Sequence, residues 1–230
     1  MQTNLIIGFP LKTTWSPRLH NAVYADQNLN AQMQAHAIKS TEEAAAKIRE
    51  ENIGLTAVTM PHKQSIMPFL DEIDEDAKKI GAVNTVINRN GKLHGYNTDL
   101  AGIEYALRDH DLVHKTVVII GAGGAARAAA YAMQKAGAKL LIINRSEGPA
   151  RELAEEFGGE VISEIPKDAT LVINATPLDN LQIPEQAVFF DMNYTKNRLG
   201  LEMFVAQGFK QIELWTGCKK LDPKKYYEYL

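Results

Sequence analysis

Short apolar runs alternate with helical patterns along the chain, the βαβ signature of strands joined through helices. "LIIG" at 5–8 reads as the first strand, and Ser16-Pro17 reads as an N-cap followed by proline at the first helical position, opening a helix that carries His20 and Tyr24. "QMQAHAI" alternates as a strand does, "STEE" at 40–43 is a capping box before an alanine-rich helix, and "LTAVT" is the next strand. "VNTVINRNGKLHGYN" is two extended runs around Asn90-Gly91, a hairpin signal, and "TDLAGIEYALRDH" has helical spacing. From Thr116 the pattern changes: "TVVIIGAGGAARAAAYAMQKAGA" is a continuous apolar strand, a glycine turn and a helix closed by Gly137, followed by strands at "KLLIIN", "TLVINA" and "AVFFD". The expected organisation is α/β with two domains. The pattern divides the chain into residues 1–100 and residues 101–200, the second of them Rossmann-like, with further helical pattern in 201–230.

Composition narrows the function. A formal charge of -3 with no run of basic residues leaves no footprint for nucleic acid, so DNA and RNA are not expected partners. The start of the chain has no basic n-region, and its apolar stretch is only Leu5 to Ile7, which predicts neither signal peptide nor membrane span; the cytoplasm is the expected compartment. The lone Cys218 excludes an intrachain disulfide and a cysteine-rich metal site, and no metal is expected. A small-molecule substrate is therefore the expected partner, handled by a monomer or homodimer.

Gly121, Gly123 and Ala126 fit G-x-G-x-x-A between a strand and a helix: a tight turn, a close backbone approach to a pyrophosphate, and close helix–strand packing. The strand that follows ends in Asn144, Arg145 and Ser146, where an NAD site usually carries an acidic residue for the ribose 2′-hydroxyl. Arg145 argues instead for the 2′-phosphate of NADP, against the plainer reading of a solvated surface charge. Beside a nicotinamide, hydride transfer at a carbonyl needs a group that moves a proton on and off the oxygen. Lys63 is the candidate, because it sits just past the end of a buried strand at "AVTMPHK", where a positive helix-dipole end would favour the neutral amine. Asp99 in "GYNTDLAG" could hold that lysine or could simply favour a helix start, and the pattern alone leaves both open.

The stretches "GFPLKTTWSPRLHN", "VTMPHK", "GAVNTV", "GYNTDLAG", "GAGGAAR", "NRS", "NATP" and "ELWTG" occur in the order found in shikimate dehydrogenases, and the chain resembles that family over nearly its whole length. The resemblance implies NADPH-dependent reduction of 3-dehydroshikimate to shikimate, within aromatic amino acid biosynthesis, with Lys63 and Asp99 as the catalytic pair; it implies that residues 1–100 are a substrate-binding, catalytic domain to which helices of 201–230 return, and that residues 101–200 are a reduced Rossmann domain that binds NADP. It implies that Thr14 and Ser16 hold the substrate carboxylate, that Thr59, Asn84, Asp99 and Gln207 grip ring hydroxyls, and that Tyr194 lines the site. It implies cofactor contacts at Gly121, Gly123, Gly124, Ala126, Asn144, Arg145, Ser146, Thr176 and Met203. His62 receives no role.

Three positions depart from the family pattern. Ala57 stands where asparagine is usual before "VT", and Thr14 replaces the first serine. After "DMNY" the chain passes through "TKNR" almost directly into "GLEMFVAQG", so a helix and a strand are expected to be missing. The shortened sheet is then expected to have an exposed edge or one covered by a partner subunit. Two alternatives accompany the main reading: a quinate or dual shikimate/quinate dehydrogenase, and a nucleotide- or metabolite-binding protein without turnover.

Overall fold

The computed structural model describes residues 1–11, 14–218 and 222–230, in two compact units, Met1–Thr98 with Val205–Leu230 and Asp99–Phe204. The first unit contains β1 (Gln2–Gly8), α1 (Ser16–Asp26), β2 (Ala31–Ala37), α2 (Thr41–Glu50), β3 (Leu55–Val58), α3 (His62–Ser65), β4 (Glu72–Ile73), α4 (Glu75–Ile80), β5 (Thr85–Arg89) and β6 (Lys92–Tyr96). The second contains α5 (Asp99–Ala106), β7 (Thr116–Ile120), α6 (Gly124–Lys135), β8 (Lys139–Ile143), α7 (Glu147–Phe157), β9 (Gly159–Val161), β10 (Leu171–Asn174) and β11 (Val188–Asp191). The last helix, α8 (Arg198–Thr216), starts in the second unit and ends in the first. Among the described residues no helix is long and apolar enough to cross a membrane.

The first unit's sheet runs β2-β1-β3-β5-β6-β4. β1 pairs in parallel with both β2 and β3, whereas β5 is antiparallel to β3 and to β6, so the sheet is mixed rather than purely parallel. The antiparallel pair is joined by a two-residue loop in which Asn90 and Gly91 have φ of 56° and 86°, the left-handed geometry that suits the twist of a tight hairpin. One face of α2 presents Ala44 and Ile48, a helical repeat of four, to a core of Leu5, Ile7, Val58 and Val86. Its N-terminus is capped by the Ser40 hydroxyl, which accepts the Glu43 N–H at 3.2 Å.

The start of α1 differs from the sequence expectation. Trp15 holds the N-cap position and Ser16 is already helical, because the Thr14 hydroxyl, two residues earlier, takes the Ser16 N–H at 3.3 Å. Ser16 is buried and is thereby released from capping its own helix.

The second unit's sheet, β11-β10-β7-β8-β9, is parallel throughout. This is the Rossmann order 3-2-1-4-5 with β7 as its first strand. Its core includes Val118, Ile120, Leu141 and Val172, the inward row of three neighbouring strands. The chain runs from β11 to α8 through residues 192–197 with no helix or strand between them.

Part of the outer edge of β11 is covered by the chain itself. The Val188 and Met192 amides bond toward β10, so the Phe189 carbonyl points outward, and there it accepts the side-chain amide of Asn197 at 3.0 Å. Gly200 lies so close over the same edge that a Cβ would sit 2.2 Å from the Asp191 carbonyl oxygen and 3.0 Å from that of Asn193. Both obstacles are backbone. Gly200→Ala is therefore expected to lower stability by about 1–3 kcal/mol, the usual cost of overpacking, read as a lower urea midpoint; an unchanged midpoint would mean that α8 can move away freely.

Glu202, two residues further along α8, is 4 % exposed and bonds Arg108 Nη1 at 2.6 Å and Arg198 Nε at 2.8 Å. Burial pushes its carboxyl pKa up, but the two guanidiniums together hold it below the ordinary value. The residue just past α5 is thus tied to α8, whose later turns carry Met203 and Gln207.

Candidate active site

In the first unit, topology gathers most of the candidate residues at one sheet edge. β1 and β3 end there, β6 runs in the same direction as β3, and β5, running against them, begins there. Thr14 and Ser16 follow β1, Thr59 and Lys63 follow β3, Asn84 precedes β5, and Thr98 follows β6 with Asp99 as the next residue of the chain. Such carboxyl edges of open α/β sheets are where ligands bind.

Each position has a local cause. The Thr59 N–H bonds the Ile7 carbonyl at 2.9 Å, and a Cβ on Gly8 would lie 2.5 Å from Thr59 Cγ2, so only glycine lets the two strand ends approach this closely. Lys63 is half-buried in the single turn of α3, and its carbonyl accepts the Val83 N–H at 2.7 Å. With only four residues, α3 carries too small a dipole to favour a neutral Lys63 amine, contrary to the expectation from the sequence. The neighbouring His62 is fully buried: Nε2 lies 2.7 Å from the Ile38 carbonyl and Nδ1 lies 2.8 Å from the Thr41 hydroxyl. It pins this turn to the β2–α2 junction, a role the sequence did not suggest.

The Thr14 and Ser16 hydroxyls lie 3.4 Å apart, close enough to act on one anionic group. Asn84 is oriented by its surroundings, since its Oδ1 accepts the Thr98 N–H at 2.7 Å and the Thr85 hydroxyl at 2.8 Å. Gln207 approaches the same cluster, with Thr98 Oγ1 3.4 Å from its Oε1. Ala57 is buried in a row with Ile6 and Thr85 across three strands, so the position that departs from the family pattern lines this layer.

In the second unit, Gly121 has φ of 116°, and a Cβ there would meet Thr176 Cγ2 at 3.0 Å and the Ala175 carbonyl at 3.3 Å. Glycine is required on both counts. At Gly123 a Cβ would meet nothing within 4 Å, which leaves open space over the start of α6, where Gly124 is the first helical residue; Ala126 is fully buried against the sheet. Free backbone N–H groups, the positive end of a three-turn helix and open space suit a pyrophosphate. Asn144 turns the end of β8 by bonding the Ser146 carbonyl at 2.9 Å, and Arg145 is exposed beside the first turn of α7. Thr176 is fixed by its hydroxyl on Asn174 Oδ1 at 2.7 Å. The Tyr194 ring packs on Phe204 with centroids 4.2 Å apart, and Met203 is buried in the same helix. Asp99 opens α5 in a buried position.

Comparison with known proteins agrees along the whole chain. Residues 6–86 match the shikimate dehydrogenase substrate binding domain, 104–195 match shikimate / quinate 5-dehydrogenase, and 200–224 match the shikimate 5′-dehydrogenase C-terminal domain. The shikimate dehydrogenase (NADP(+)) of Carboxydothermus hydrogenoformans is 35% identical over 253 aligned positions, covering 92% of this chain and 90% of the relative. That alignment is longer than the 230 residues present here, so the relative carries residues with no counterpart in this chain. Among solved structures, shikimate dehydrogenase from Aquifex aeolicus superposes with a TM-score of 0.91 at 31% identity, covering 100% of this chain and 97% of the other. The Thermus thermophilus enzyme, solved in complex with NADP(H) and shikimate, gives 0.87 at 30% identity, with 100% and 98% covered. On sequence and fold together, the chain belongs to the shikimate dehydrogenase family.

Proposed function

We propose that this chain catalyses the reversible, NADP-dependent interconversion of 3-dehydroshikimate and shikimate, a step toward the aromatic amino acids in the cytoplasm. The observation that carries this reading is the agreement of three family matches and an NADP-dependent relative with a site whose Lys63, Asn84, Thr14 and Ser16 share one sheet edge. The two units are read as a substrate-binding and an NADP-binding domain.

The roles follow from the chemistry of each side chain. Thr14 and Ser16 hydroxyls donate to the ring carboxylate, and Thr59, Asn84 and Gln207 hold ring hydroxyls. Lys63 gives a proton from Nζ to the carbonyl oxygen during reduction and, as the neutral amine, takes it back during oxidation. Asp99 supplies the carboxylate that orients lysine and substrate. The cofactor, when bound, supplies or accepts the hydride. Its pyrophosphate suits Gly121, Gly123, Gly124 and the start of α6, with Ala126 packing that helix; Asn144, Arg145 and Ser146 suit the 2′-phosphate, and Thr176, Met203 and Tyr194 line the nicotinamide side.

Cofactor and substrate panels test this reading. A charge-assisted contact is worth about 1.5–3 kcal/mol, so Arg145→Ala should raise KM for NADP roughly 10- to 100-fold and leave KM for NAD nearly unchanged. Equal losses for both cofactors would remove Arg145 from the 2′-phosphate. Quinate oxidised as efficiently as shikimate would replace the assignment with a dual-specificity enzyme.

A further inference from the structure

At the carboxyl edge of the second unit's sheet, β10 and β11 end side by side on two buried polar residues. Asn174 is 1 % exposed and Asp191 4 %, and the two are register partners in the parallel pair. A carboxylate buried to this degree is costly unless hydrogen bonds compensate it. Asp191 has them: Oδ1 accepts the Asn193 N–H at 2.9 Å, Oδ2 accepts Asn174 Nδ2 at 3.1 Å, and Asp191 interacts electrostatically with Lys196 in the segment that follows.

The hydrogens around Asn174 fit in one way only. Nδ2 gives one hydrogen to Asp191 and the other to the Leu178 carbonyl at 3.0 Å, while Oδ1 accepts the Thr176 N–H at 3.1 Å and the Thr176 hydroxyl at 2.7 Å. Exchanging the amide oxygen and nitrogen would set the oxygen against a carboxylate and a carbonyl, and the nitrogen against an N–H. The Thr176 hydroxyl has no hydrogen left to give, since its one hydrogen goes to Asn174; its oxygen accepts the Leu178 N–H at 3.2 Å. With the hydroxyl turned inward, the Thr176 methyl is the group beside the glycine turn, where a Cβ on Gly121 would lie 3.0 Å from Cγ2. A second tie joins the same two segments, Lys196 Nζ to Asp179 Oδ1 at 2.7 Å, but both partners are exposed, so water and salt screen it.

We propose that Asp191 and Asn174 are positioning residues for the NADP site. Asp191 turns the Asn174 amide, Asn174 draws the Thr176 hydroxyl inward, and Thr176 meets the bound cofactor with its methyl group and donates no hydrogen bond to it. The same carboxylate holds the Asn193 N–H, so the segments that carry Thr176 and Tyr194 leave the sheet at one fixed spacing beside the Gly121 turn. Without this joint, residues 175–178 would sample other conformations, and apparent cofactor affinity would fall with the fraction of molecules in the competent one. Nothing in the joint addresses a 2′-phosphate, so NADP and NAD depend on it alike. The inference rests on the assignment of the Gly121 turn and Thr176 to the cofactor.

Equilibrium binding of NADP and NAD to the intact protein, measured by calorimetry, tests it without requiring turnover. Asp191→Asn keeps the shape but offers one oxygen to two donors, and Thr176→Val keeps the methyl and removes the hydroxyl. Loss of a hydrogen bond to a charged group corresponds to roughly a 10- to 100-fold change and loss of a neutral one to about fivefold. Asp191→Asn should therefore raise Kd for both cofactors at least about tenfold, and Thr176→Val about fivefold, with KM for shikimate unchanged. The double variant should bind about as Asp191→Asn does, because both changes break one chain of bonds. Where Asp191→Asn fails to fold, Thr176→Val decides alone. Kd unmoved in either folded variant, a loss confined to NADP, a double variant that multiplies the two factors, or an equal loss from Lys196→Ala would overturn the proposal. Gly121→Ala is the control for the site itself: Kd unmoved there would remove the cofactor from this turn, whereas affinity lost in Gly121→Ala alone would remove only the positioning pair.

Discussion

Lys63→Ala should lower turnover with shikimate by about 10² to 10⁴, the usual worth of positioned acid–base assistance, while the protein stays folded. The side chain is half-buried outside the hydrophobic core, and the turn that carries it is held by groups the substitution leaves in place: the Lys63 carbonyl on the Val83 N–H, and the buried His62 ring on Ile38 and Thr41. A loss of activity with an unchanged melting temperature and circular dichroism spectrum would thus report on chemistry alone. Lys63→Arg sharpens the test. A guanidinium keeps the positive charge but does not release its proton near neutrality, so it should be almost as slow as alanine if Lys63 moves a proton. If arginine restored most of the rate, the lysine would act only through its charge, and near-normal turnover in both variants would remove it from the mechanism.

Acid should destabilise the protein before its carboxylates titrate. Burial lowers the His20 pKa from 6.5 to about 4, opposed in part by the Ser16 carbonyl and Gln211. Between those two values the unfolded chain binds a proton that the folded chain refuses, so unfolding free energy rises with pH across the window. The stabilisation is therefore complete above about pH 6.5 and lost as pH falls toward 4, for a total on the order of 3 kcal/mol from this one ring. Glu202 works at lower pH, because its pKa is depressed below the ordinary value; its contribution is present above that value and disappears as pH falls through its folded pKa. Urea midpoints at pH 7, 6 and 5 separate the two. The wild type should lose stability already between pH 7 and 5, and His20→Phe should show a much flatter dependence there. Parallel slopes in the two proteins would show that His20 titrates alike folded and unfolded.

The parts of the molecule written locally in the chain are the parts the sequence revealed. The Asn90-Gly91 hairpin, the Ser40 cap and the strand–glycine–helix unit at Gly121 each depend on residues adjacent in sequence, and each is present with the expected geometry. Short elements escaped notice: the two residues of β4 and the three of β9 are fixed by pairing with β6 and β8 rather than by any pattern of their own. Ser16 misled because its spacing to Pro17 fits a cap, whereas the Thr14 hydroxyl supplies the bond instead. The covered edge of β11 was out of reach for a similar reason, since nothing marks Asn197 and Gly200 as edge cover until α8 has folded back over the strand.

Much the same holds for the site. Lys63 and the glycine turn were candidates legible in short motifs, whereas Asp99, Thr59, Asn84 and Gln207 became candidates through resemblance. The layer behind them was not. His20 and Gln211 lie 191 positions apart and meet only because Gly208 lets α8 approach α1, so no spacing rule could join them. The same is true of His62, whose ring partners come from a different loop.

The measurement that bears most directly on the central claim is the oxidation of shikimate by the purified chain, followed as the appearance of reduced nicotinamide with NADP and with NAD. The account predicts turnover with shikimate that is faster with NADP, and none in the same assay from the Lys63→Ala protein. A folded protein that binds NADP yet reduces none in the presence of shikimate would contradict it, and would leave a nucleotide-binding member of the family that has lost the reaction.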